Sequence, residues 1–224
     1  MPGLASAFVL SAFCLTADPA PPVLIPATTV SEYPTATSWQ GDDRKDLYMK
    51  GIAFPEFLER AERRRDRWVR NYENAMADED LLARARAVGG NWKLLAVAID
   101  GCSDSVSTIP YIARLVEGVE NLEMRIVDST VGRDVMMAHR TPDGRAATPT
   151  LVVLDEAYEE VGCFVERPLL LQDWVSENRE GLDDREYVRQ KFEWYDNDAG
   201  RNTLEEIVGL LEAAAEGTKG CGSG

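Results

Sequence analysis

The sequence contains a single histidine, His139. A metal centre rich in histidine cannot be built from one imidazole, and a Ser-His-Asp hydrolase would have to use His139 as its base. The position of His139 after a short predicted helix indicates a loop residue that is not a ligand. We therefore expect no metal site and no bound cofactor.

Cysteine is also scarce, and its four copies lie far apart in the sequence, at Cys14, Cys102, Cys163 and Cys221. This spacing excludes a zinc ribbon, a CxxC pair and a dense disulfide framework, and it predicts isolated thiols in a reducing compartment. Cys163 is expected to be a small buried hydrophobic residue. Its use as a distant resolving thiol for Cys102 is a less favoured alternative. Cys221 is expected to be an incidental exposed thiol.

Positive charge is the third shortage. The chain has 24 Lys and Arg against 39 Asp and Glu, which gives a formal net charge of -15. Such a surface repels phosphate backbones and anionic lipid, so we expect neither nucleic-acid nor membrane partners. With 45% hydrophobic and 28% charged residues, the composition is otherwise that of a folded globular protein.

Residues 1–41 are predicted to form a disordered or signal-like, proline-rich extension. Residues 3–17 are apolar and as long as the core of a signal peptide, but no Lys or Arg precedes them. Five prolines between residues 19 and 34 exclude a helix and indicate a linker. A cytoplasmic location is favoured, and export is the alternative if residues 1–17 are a true signal segment.

Residues 42–90 are predicted to form a helical extension. Apolar residues recur at helical spacing from 54 to 76, which predicts one amphipathic helix, and a second helix follows Asp78 and ends at Gly89. The first helix carries an apolar stripe with four aromatic residues: Phe54, Phe57, Trp68 and Tyr72. We favour packing of this stripe within the chain, on aromatic residues from the C-terminal helices: Trp174, Phe192 and Trp194. Docking across a dimer interface is the alternative, and the sequence does not define the oligomeric state.

Residues 91–180 are predicted to form an α/β core with the order β-α-β-α-β-β, typical of a mainly parallel sheet with an antiparallel edge. The predicted elements cover residues 92–99, 106–116, 122–127, 131–138, 151–154 and 161–165. Residues 181–216 are predicted to form C-terminal helices packed on the core, where Thr203 and Glu206 form a capping box. Residues 217–224 are expected to be a flexible tail.

The junction between the first strand and the next helix reads Asp-Gly-Cys-Ser-Asp-Ser over residues 100–105, with Pro110 eight residues after Cys102. Residues 147–150 read Ala-Thr-Pro-Thr. In this order and spacing the sequence resembles the thioredoxin-like superfamily, specifically bacterial thioredoxin-family proteins with an N-terminal helical extension. The resemblance implies a central mixed sheet of about four strands flanked by helices, a helix kinked at Pro110, and a cis peptide bond before Pro149.

The resemblance also implies thiol-disulfide exchange at Cys102, with substrate bound beside Thr148 and Pro149. The substrate-binding residues implied are Gly101, Ser103, Thr148 and Pro149, and the supporting residues are Asp104, Ser105 and Pro110. The sequence departs from the family pattern in two places: Gly101 replaces a tryptophan, and Ser105 stands where the second cysteine is expected. The motif CSDS therefore predicts a monothiol whose partner is a protein or small disulfide, with an external thiol such as glutathione for resolution.

Two opposing electrostatic effects act on the reactivity of Cys102. The N–H groups and positive dipole end of a helix stabilise a thiolate at that position. The carboxylate of Asp104 opposes a second negative charge nearby. The alternative to an exchange protein is a redox-inactive binding module that holds an extended peptide in the cis-proline groove. Asp100 and Asp104 are only a weak indication of a metal pair.

Overall fold

The computed structural model describes residues 41–76 and 78–221, so all but the last residue of the predicted extension 1–41 lies outside the described residues. Four helices precede the sheet: α1 (Gly41–Lys50), α2 (Phe54–Arg60), α3 (Arg65–Asn74) and α4 (Glu79–Ala87). Asp78 caps α4 by accepting a hydrogen bond from the Asp80 N–H at 3.0 Å. None of the helices in the described part of the chain is both long and apolar enough to cross a bilayer.

The prediction of one continuous helix from 54 to 76 is wrong. The chain leaves the helical conformation between α2 and α3, and Arg64 adopts a left-handed conformation with φ of 54°. The cause is a tertiary contact: the Asp100 side chain accepts hydrogen bonds from the backbone N–H groups of Glu62 (2.9 Å) and Arg63 (2.8 Å). These two N–H groups bond to Asp100 and not to carbonyl groups of a regular helix, so the helix is interrupted here. The helical spacing of apolar residues continues across the interruption and gives no sign of it.

The predicted β-α-β-α-β-β order is confirmed, and the sheet is mixed. Its elements are β1 (Trp92–Val97), α5 (Ser105–Glu117), β2 (Leu122–Val127), α6 (Arg133–Ala138), β3 (Thr150–Leu154) and β4 (Glu160–Val165). A short fifth strand, β5 (Gly220–Cys221), completes the described sheet in the order β2-β1-β3-β4-β5. The β1–β2 and β4–β5 pairs are parallel, whereas β3 is antiparallel to both β1 and β4. The expectation of a mainly parallel sheet with an antiparallel edge is therefore wrong, because the antiparallel strand β3 lies at the centre.

Each face of the sheet carries its own apolar core. Along β1, Leu94 and Ala96 belong to the cluster that includes α5, whereas Leu95 and Val97 belong to the opposite cluster. This alternation follows from the two-residue period of a strand, and both sets are buried because helices cover both faces. The second cluster includes Val135 of α6. The C-terminal end of β1 therefore emerges between two packed layers.

The aromatic stripe of α2 and α3 packs inside the chain. The Trp68 ring lies 5.1 Å from that of Phe57, and the stripe joins the core cluster that contains α5. Of the three aromatic partners expected at the C-terminus, Phe192 receives the Arg67 guanidinium, 3.9 Å from its ring centre. The other two make different contacts: Trp174 stacks on Tyr187, and Trp194 meets Tyr195 edge-on.

The C-terminal helices are α7 (Leu169–Asn178), a 3-10 turn at Arg179–Gly181, α8 (Asp184–Asp198) and α9 (Arg201–Ala215). The predicted capping box of Thr203 and Glu206 is wrong, because α9 already begins at Arg201, after Gly200. The Glu206 carboxylate instead accepts a hydrogen bond from the backbone N–H of Leu169 at 2.6 Å. Glu206 therefore caps the neighbouring helix α7 and not its own.

The expectation of isolated thiols and of a flexible tail over 217–224 is wrong for residues 220–221. Cys163 of β4 forms a disulfide with Cys221 of β5, with their Cα atoms 4.3 Å apart. A glycine at 162 permits this approach, because a Cβ atom there would lie 3.2 Å from the Gly220 carbonyl oxygen. Cys163 is buried as predicted, but it is bonded and not a free thiol.

Candidate functional site

Cys102 lies in the turn between β1 and α5, and its carbonyl accepts the hydrogen bond of the Val106 N–H at 3.1 Å. The peptide bond between Thr148 and Pro149, just before β3, is cis. The Cys102 thiol donates to the Thr148 carbonyl oxygen at 3.0 Å. The predicted nucleophile and the cis-proline segment, separated by some 46 residues in sequence, are therefore in direct contact.

The sulfur also contacts the start of α5. The backbone N–H of Ser105 donates to Cys102 Sγ at 3.4 Å, a weak hydrogen bond of the type that helix N-termini offer to a negative sulfur. The Ser105 hydroxyl is buried and has no hydrogen-bond partner among the described residues. Pro110 is buried within α5, as the resemblance implies. The structure therefore places a hydroxyl where a dithiol motif would carry its second sulfur.

Gly101 is packed by the N-terminal helices. The Arg63 side chain lies where a residue larger than glycine would project, with its Cδ 3.0 Å from an added Cβ. Arg64 Nε donates to the Gly101 carbonyl oxygen at 2.8 Å. Two arginines thus occupy the surroundings of the position at which the family pattern has a tryptophan.

Asp104 points away from solvent into a buried group of polar side chains. Its carboxylate accepts hydrogen bonds from Lys191 Nζ at 2.7 Å and from the Tyr195 hydroxyl at 2.8 Å, and Arg167 Nε lies 3.5 Å away. Lys191 Nζ also donates to the Ser103 hydroxyl at 2.9 Å. Two cations therefore offset the negative charge that the sequence places beside the candidate nucleophile.

The charged group extends outward from Arg167. Burial lowers the pKa of Arg167, but the charges of Asp104 and Glu166 outweigh it and raise this pKa, so the guanidinium remains protonated. Glu166 pairs directly with Arg167 and also accepts two hydrogen bonds from Arg145, each 3.3 Å long. Burial, followed by the charge of Asp104, raises the pKa of Tyr195 well above its usual value. The phenol therefore donates to Asp104 as a neutral group.

Asp100 serves a separate structural purpose at the end of β1. Burial raises its pKa, but the backbone N–H groups of Arg63 and Glu62 outweigh this effect and hold the pKa below its usual value. The Trp68 indole donates to the Asp100 carbonyl oxygen at 2.9 Å. Asp100 and Asp104 thus bond to different partners: backbone N–H groups for Asp100, and Lys191 and Tyr195 for Asp104.

A cleft of about 720 Å³ lies beside the thiol, between α2 and the C-terminal ends of β1 and β2. Gly101 and Asp100 line it together with three cationic residues: Lys50 of α1, Arg60 of α2, and Arg63 of the connection between α2 and α3. Cys102 is not part of the lining. The cleft therefore flanks the candidate nucleophile and does not contain it.

Sequence reasoning missed three residues of the site: Lys191, Tyr195 and Arg167. Lys191 shares helical spacing with Tyr187 and Tyr195, on a stripe that is otherwise apolar or aromatic. A lysine on such a stripe is the signal that could have been followed, because buried lysines are almost always paired. Its partner could not be identified, since Asp104 lies 87 positions earlier.

Comparison with known proteins agrees with this geometry. Two solved structures have similar folds, each with a TM-score of 0.60: a protein of unknown function from Pseudomonas aeruginosa, which is 18% identical, and an HIV epitope-scaffold protein, which is 19% identical. The matches cover 76% and 75% of this chain and 97% of each matched chain, and at such identities they show the fold alone. No curated protein matches the sequence. A family profile described as Thioredoxin matches residues 51–183, more than half of the chain, and the chain therefore belongs to the thioredoxin family.

Proposed function

We propose that this protein catalyses thiol-disulfide exchange through one nucleophile, Cys102, with an external thiol completing the reaction. The observation that carries the proposal is the contact between the Cys102 thiol and the carbonyl of the cis Thr148–Pro149 segment, at the start of α5. Cys102 is also the free cysteine among the described residues, and it is partly exposed.

The reaction balances without a second cysteine in the motif. The Cys102 thiolate attacks one sulfur of a substrate disulfide, and the other substrate sulfur leaves as a thiolate that takes a proton from solvent. The external thiol then attacks the mixed disulfide, and the Cys102 sulfur leaves and is regenerated. The first substrate sulfur ends in a disulfide with the external thiol, so Cys102 itself undergoes no net oxidation.

The surface around the thiol suits a disulfide in a peptide or a small molecule. Gly101, Ser103 and Thr148 are each partly exposed next to Cys102, so an incoming substrate can reach all three. Backbone groups before β3 offer an extended substrate the main-chain hydrogen bonds that hold a peptide at a sheet end. Asp104, Ser105 and Pro110 lie behind this surface and support the turn that carries the sulfur.

The test is release of a peptide thiol from a glutathionylated peptide, with reduced glutathione as the external thiol. We expect turnover by the natural protein and only the background rate for Cys102→Ser. A Cys163→Ser/Cys221→Ser variant is the matched control and should keep its activity, because its free cysteines still include Cys102. Full activity in Cys102→Ser would disprove the proposal.

A second substitution tests the monothiol assignment. Ser105→Cys places a sulfur beside Cys102 and is expected to permit an internal disulfide, so reduction of insulin with a dithiol reductant should rise above the low natural level. Equal insulin reduction by both proteins would show that another thiol already resolves the mixed disulfide.

The alternative function is a redox-inactive peptide-binding module. It is favoured by one observation: Ser105 stands where a second sulfur would lie, and its buried hydroxyl gives Cys102 no resolving thiol within the motif. The rate of Cys102 alkylation as a function of pH separates the two functions. An alkylation rate above that of a free model thiol at neutral pH supports exchange, and an inert sulfur supports the binding module.

A further inference from the structure

A second group of sulfur and nitrogen atoms lies at the edge of the sheet formed by β4 and β5, next to the C-terminal end of α6. Cys163 and Cys221 are joined there by the disulfide, and His139 is the residue that follows α6. His139 Nδ1 lies 3.5 Å from Cys221 Sγ, and one ligand atom from each of the three residues lies within 4.8 Å of the others. The proposed exchange reaction does not use this group.

The separation of His139 Nδ1 and Cys221 Sγ suits a tetrahedral ion, whereas the two sulfurs are bonded to each other and must move apart on reduction before they can share one. With zinc–sulfur and zinc–nitrogen bonds of about 2.3 and about 2.0–2.1 Å, a sulfur and a nitrogen on one tetrahedral zinc lie about 3.5 Å apart. His139 Nδ1 and Cys221 Sγ already have this separation. Cys163 is buried and Cys221 is exposed, so one side of the group is held by the core and the other is open to solvent.

The orientation of His139 also suits a ligand. Its Nε2 lies 2.7 Å from Glu160 Oε1, and the other carboxylate oxygen of Glu160 accepts a hydrogen bond from Arg44 at 2.6 Å. The Glu160 carboxylate lies within ion-pair distance of Nε2, so Nδ1, the ring nitrogen nearer Cys221 Sγ, is the one placed to bind a metal ion. Histidines that bind zinc are commonly held by a carboxylate in this way.

We propose that reduction of the Cys163–Cys221 disulfide converts this group into a zinc site with three protein ligands: the sulfurs of Cys163 and Cys221 and Nδ1 of His139. The fourth position faces solvent and takes water. A dithiol supplies the two electrons and two protons that turn the disulfide into two thiols, and is itself oxidised to a cyclic disulfide. Zinc then binds as the two thiols release their protons to solvent. A small-molecule disulfide such as that of glutathione takes up two electrons and is reduced to two thiols when the protein disulfide forms again, and the zinc ion is then released.

The experiment uses the full chain carrying Cys14→Ser and Cys102→Ser, so that no other thiol binds metal. The protein is reduced, separated from reductant without oxygen, and titrated with zinc against a chromophoric chelator. We expect one zinc per chain in the reduced protein and none in the oxidised protein. Cobalt in place of zinc is expected to give the visible spectrum of a tetrahedral ion with thiolate charge-transfer absorption.

Two variants test the ligand set. His139→Ala keeps both sulfurs and is expected to weaken zinc binding at least tenfold, and Glu160→Gln is expected to weaken it about tenfold by releasing the imidazole. Circular dichroism checks that each variant folds. Zinc binding by the oxidised protein, no binding by the reduced protein, unchanged affinity in His139→Ala, or an octahedral cobalt spectrum would each overturn the proposal. These readouts do not depend on Cys102, so they fail or succeed separately from the exchange function.

Discussion

At the scale of single residues, the side chain that fixes the position of the CSDS turn is Asp104, two positions after Cys102. The carboxylate is buried among Lys191, Tyr195 and Arg167, three partners from the C-terminal part of the chain. A buried charge that loses its partner is far more costly than an exposed one, because no water replaces the lost contact. The position of the CSDS turn therefore depends on residues that follow the sheet.

Asp104→Asn is expected to lower the free energy of unfolding by about 3–5 kcal/mol, because the Lys191 ammonium is left without its counter-charge. Urea unfolding followed by fluorescence measures the change. The matched control is Asp143→Asn, the same substitution in the exposed ion pair with Arg145, where a loss of about 1 kcal/mol or less is expected.

Combining Asp104→Asn with Lys191→Met removes both charges and should recover part of the loss. A cost for Asp104→Asn alone that matched the Asp143 control would contradict the view that this pair holds the turn in place.

The parts of the candidate site that sequence predicted are the local ones. The strand that ends before Cys102 and the helix that follows it were predicted from the spacing of their own apolar residues, whereas the role of Pro110 was implied by the resemblance to a family. Thr148 and Pro149 were found only through the resemblance to a family. Lys191 could not be assigned, because charge pairing across 87 residues leaves no periodic signal in the sequence.

At the scale of helices and strands, the spacing of apolar residues in the sequence predicted the α/β core well. The run in β1 is buried on both faces and the alternation in β2 is buried on one, and each was recognisable from its period. The break between α2 and α3 was not, because its cause is a side chain from another element, Asp100. The cap of α7 was missed for the same reason, since it comes from Glu206 on α9.

The cap on α7 predicts a dependence of stability on pH. Burial raises the pKa of Glu206 from 4.5 to about 7, against the opposing effect of the hydrogen bond from Leu169. The folded protein therefore binds more protons than the unfolded chain between these values, and this carboxyl makes stability fall as pH rises from about 4.5 to about 7.

Glu206→Gln removes the charge and keeps an acceptor for the Leu169 N–H. We expect it to be near neutral at pH 4.5 and to raise the free energy of unfolding by about 1–2 kcal/mol at pH 8, a value reduced for partial solvent exposure. Glu205→Gln, which alters an exposed partner of Arg84, should show no such gain at pH 8. If Glu206→Gln changed the free energy of unfolding by the same amount at pH 4.5 and at pH 8, the argument from burial of the carboxylate would be refuted.

At the scale of the whole molecule, the two ends of the described chain meet around the candidate site. The connection between α2 and α3 bonds to the Asp100 side chain and the Gly101 carbonyl, Trp68 of α3 bonds to the Asp100 carbonyl, and Lys191 of α8 bonds to Asp104. The Arg67 guanidinium on the Phe192 ring, and its ion pair with Asp196, join the two groups of helices directly. Neither helical group is an appendage to an independent core.

A chain that starts at residue 91 should therefore fail to fold as a monomer, whereas a chain that starts at residue 41 is the matched reference. The shorter chain lacks Trp68, which is fully buried, and exposes the α5 surface beneath it. Burial of one large aromatic contributes several kcal/mol, about half of a typical domain stability. Size-exclusion chromatography and thermal melting measure the result, and a monomeric short chain with an unchanged melting temperature would show that the helices are a separate module.

The pairing of Cys163 with Cys221 could not be predicted from the sequence spacing of the cysteines, because it depends on how residues 220–221 return to the sheet. Gly220 and Cys221 lie beside β4, and on the opposite edge of the described sheet Ile52 forms two backbone hydrogen bonds with Ile126 of β2. The edge of β4 is thus covered by the two residues of β5, and the edge of β2 is covered by Ile52.

An uncovered edge strand offers its free N–H and C=O groups to any other strand, including one from a second copy of the chain. The β4 sequence EVGCFV has neither lysine nor proline to discourage such pairing. Release of β5, by reduction in the absence of any metal ion, would open this strand. We therefore expect the Cys163–Cys221 disulfide to determine whether the protein stays dispersed at high concentration or assembles through pairing of β4 strands. The colloidal behaviour of the protein would then depend on the two residues of β5.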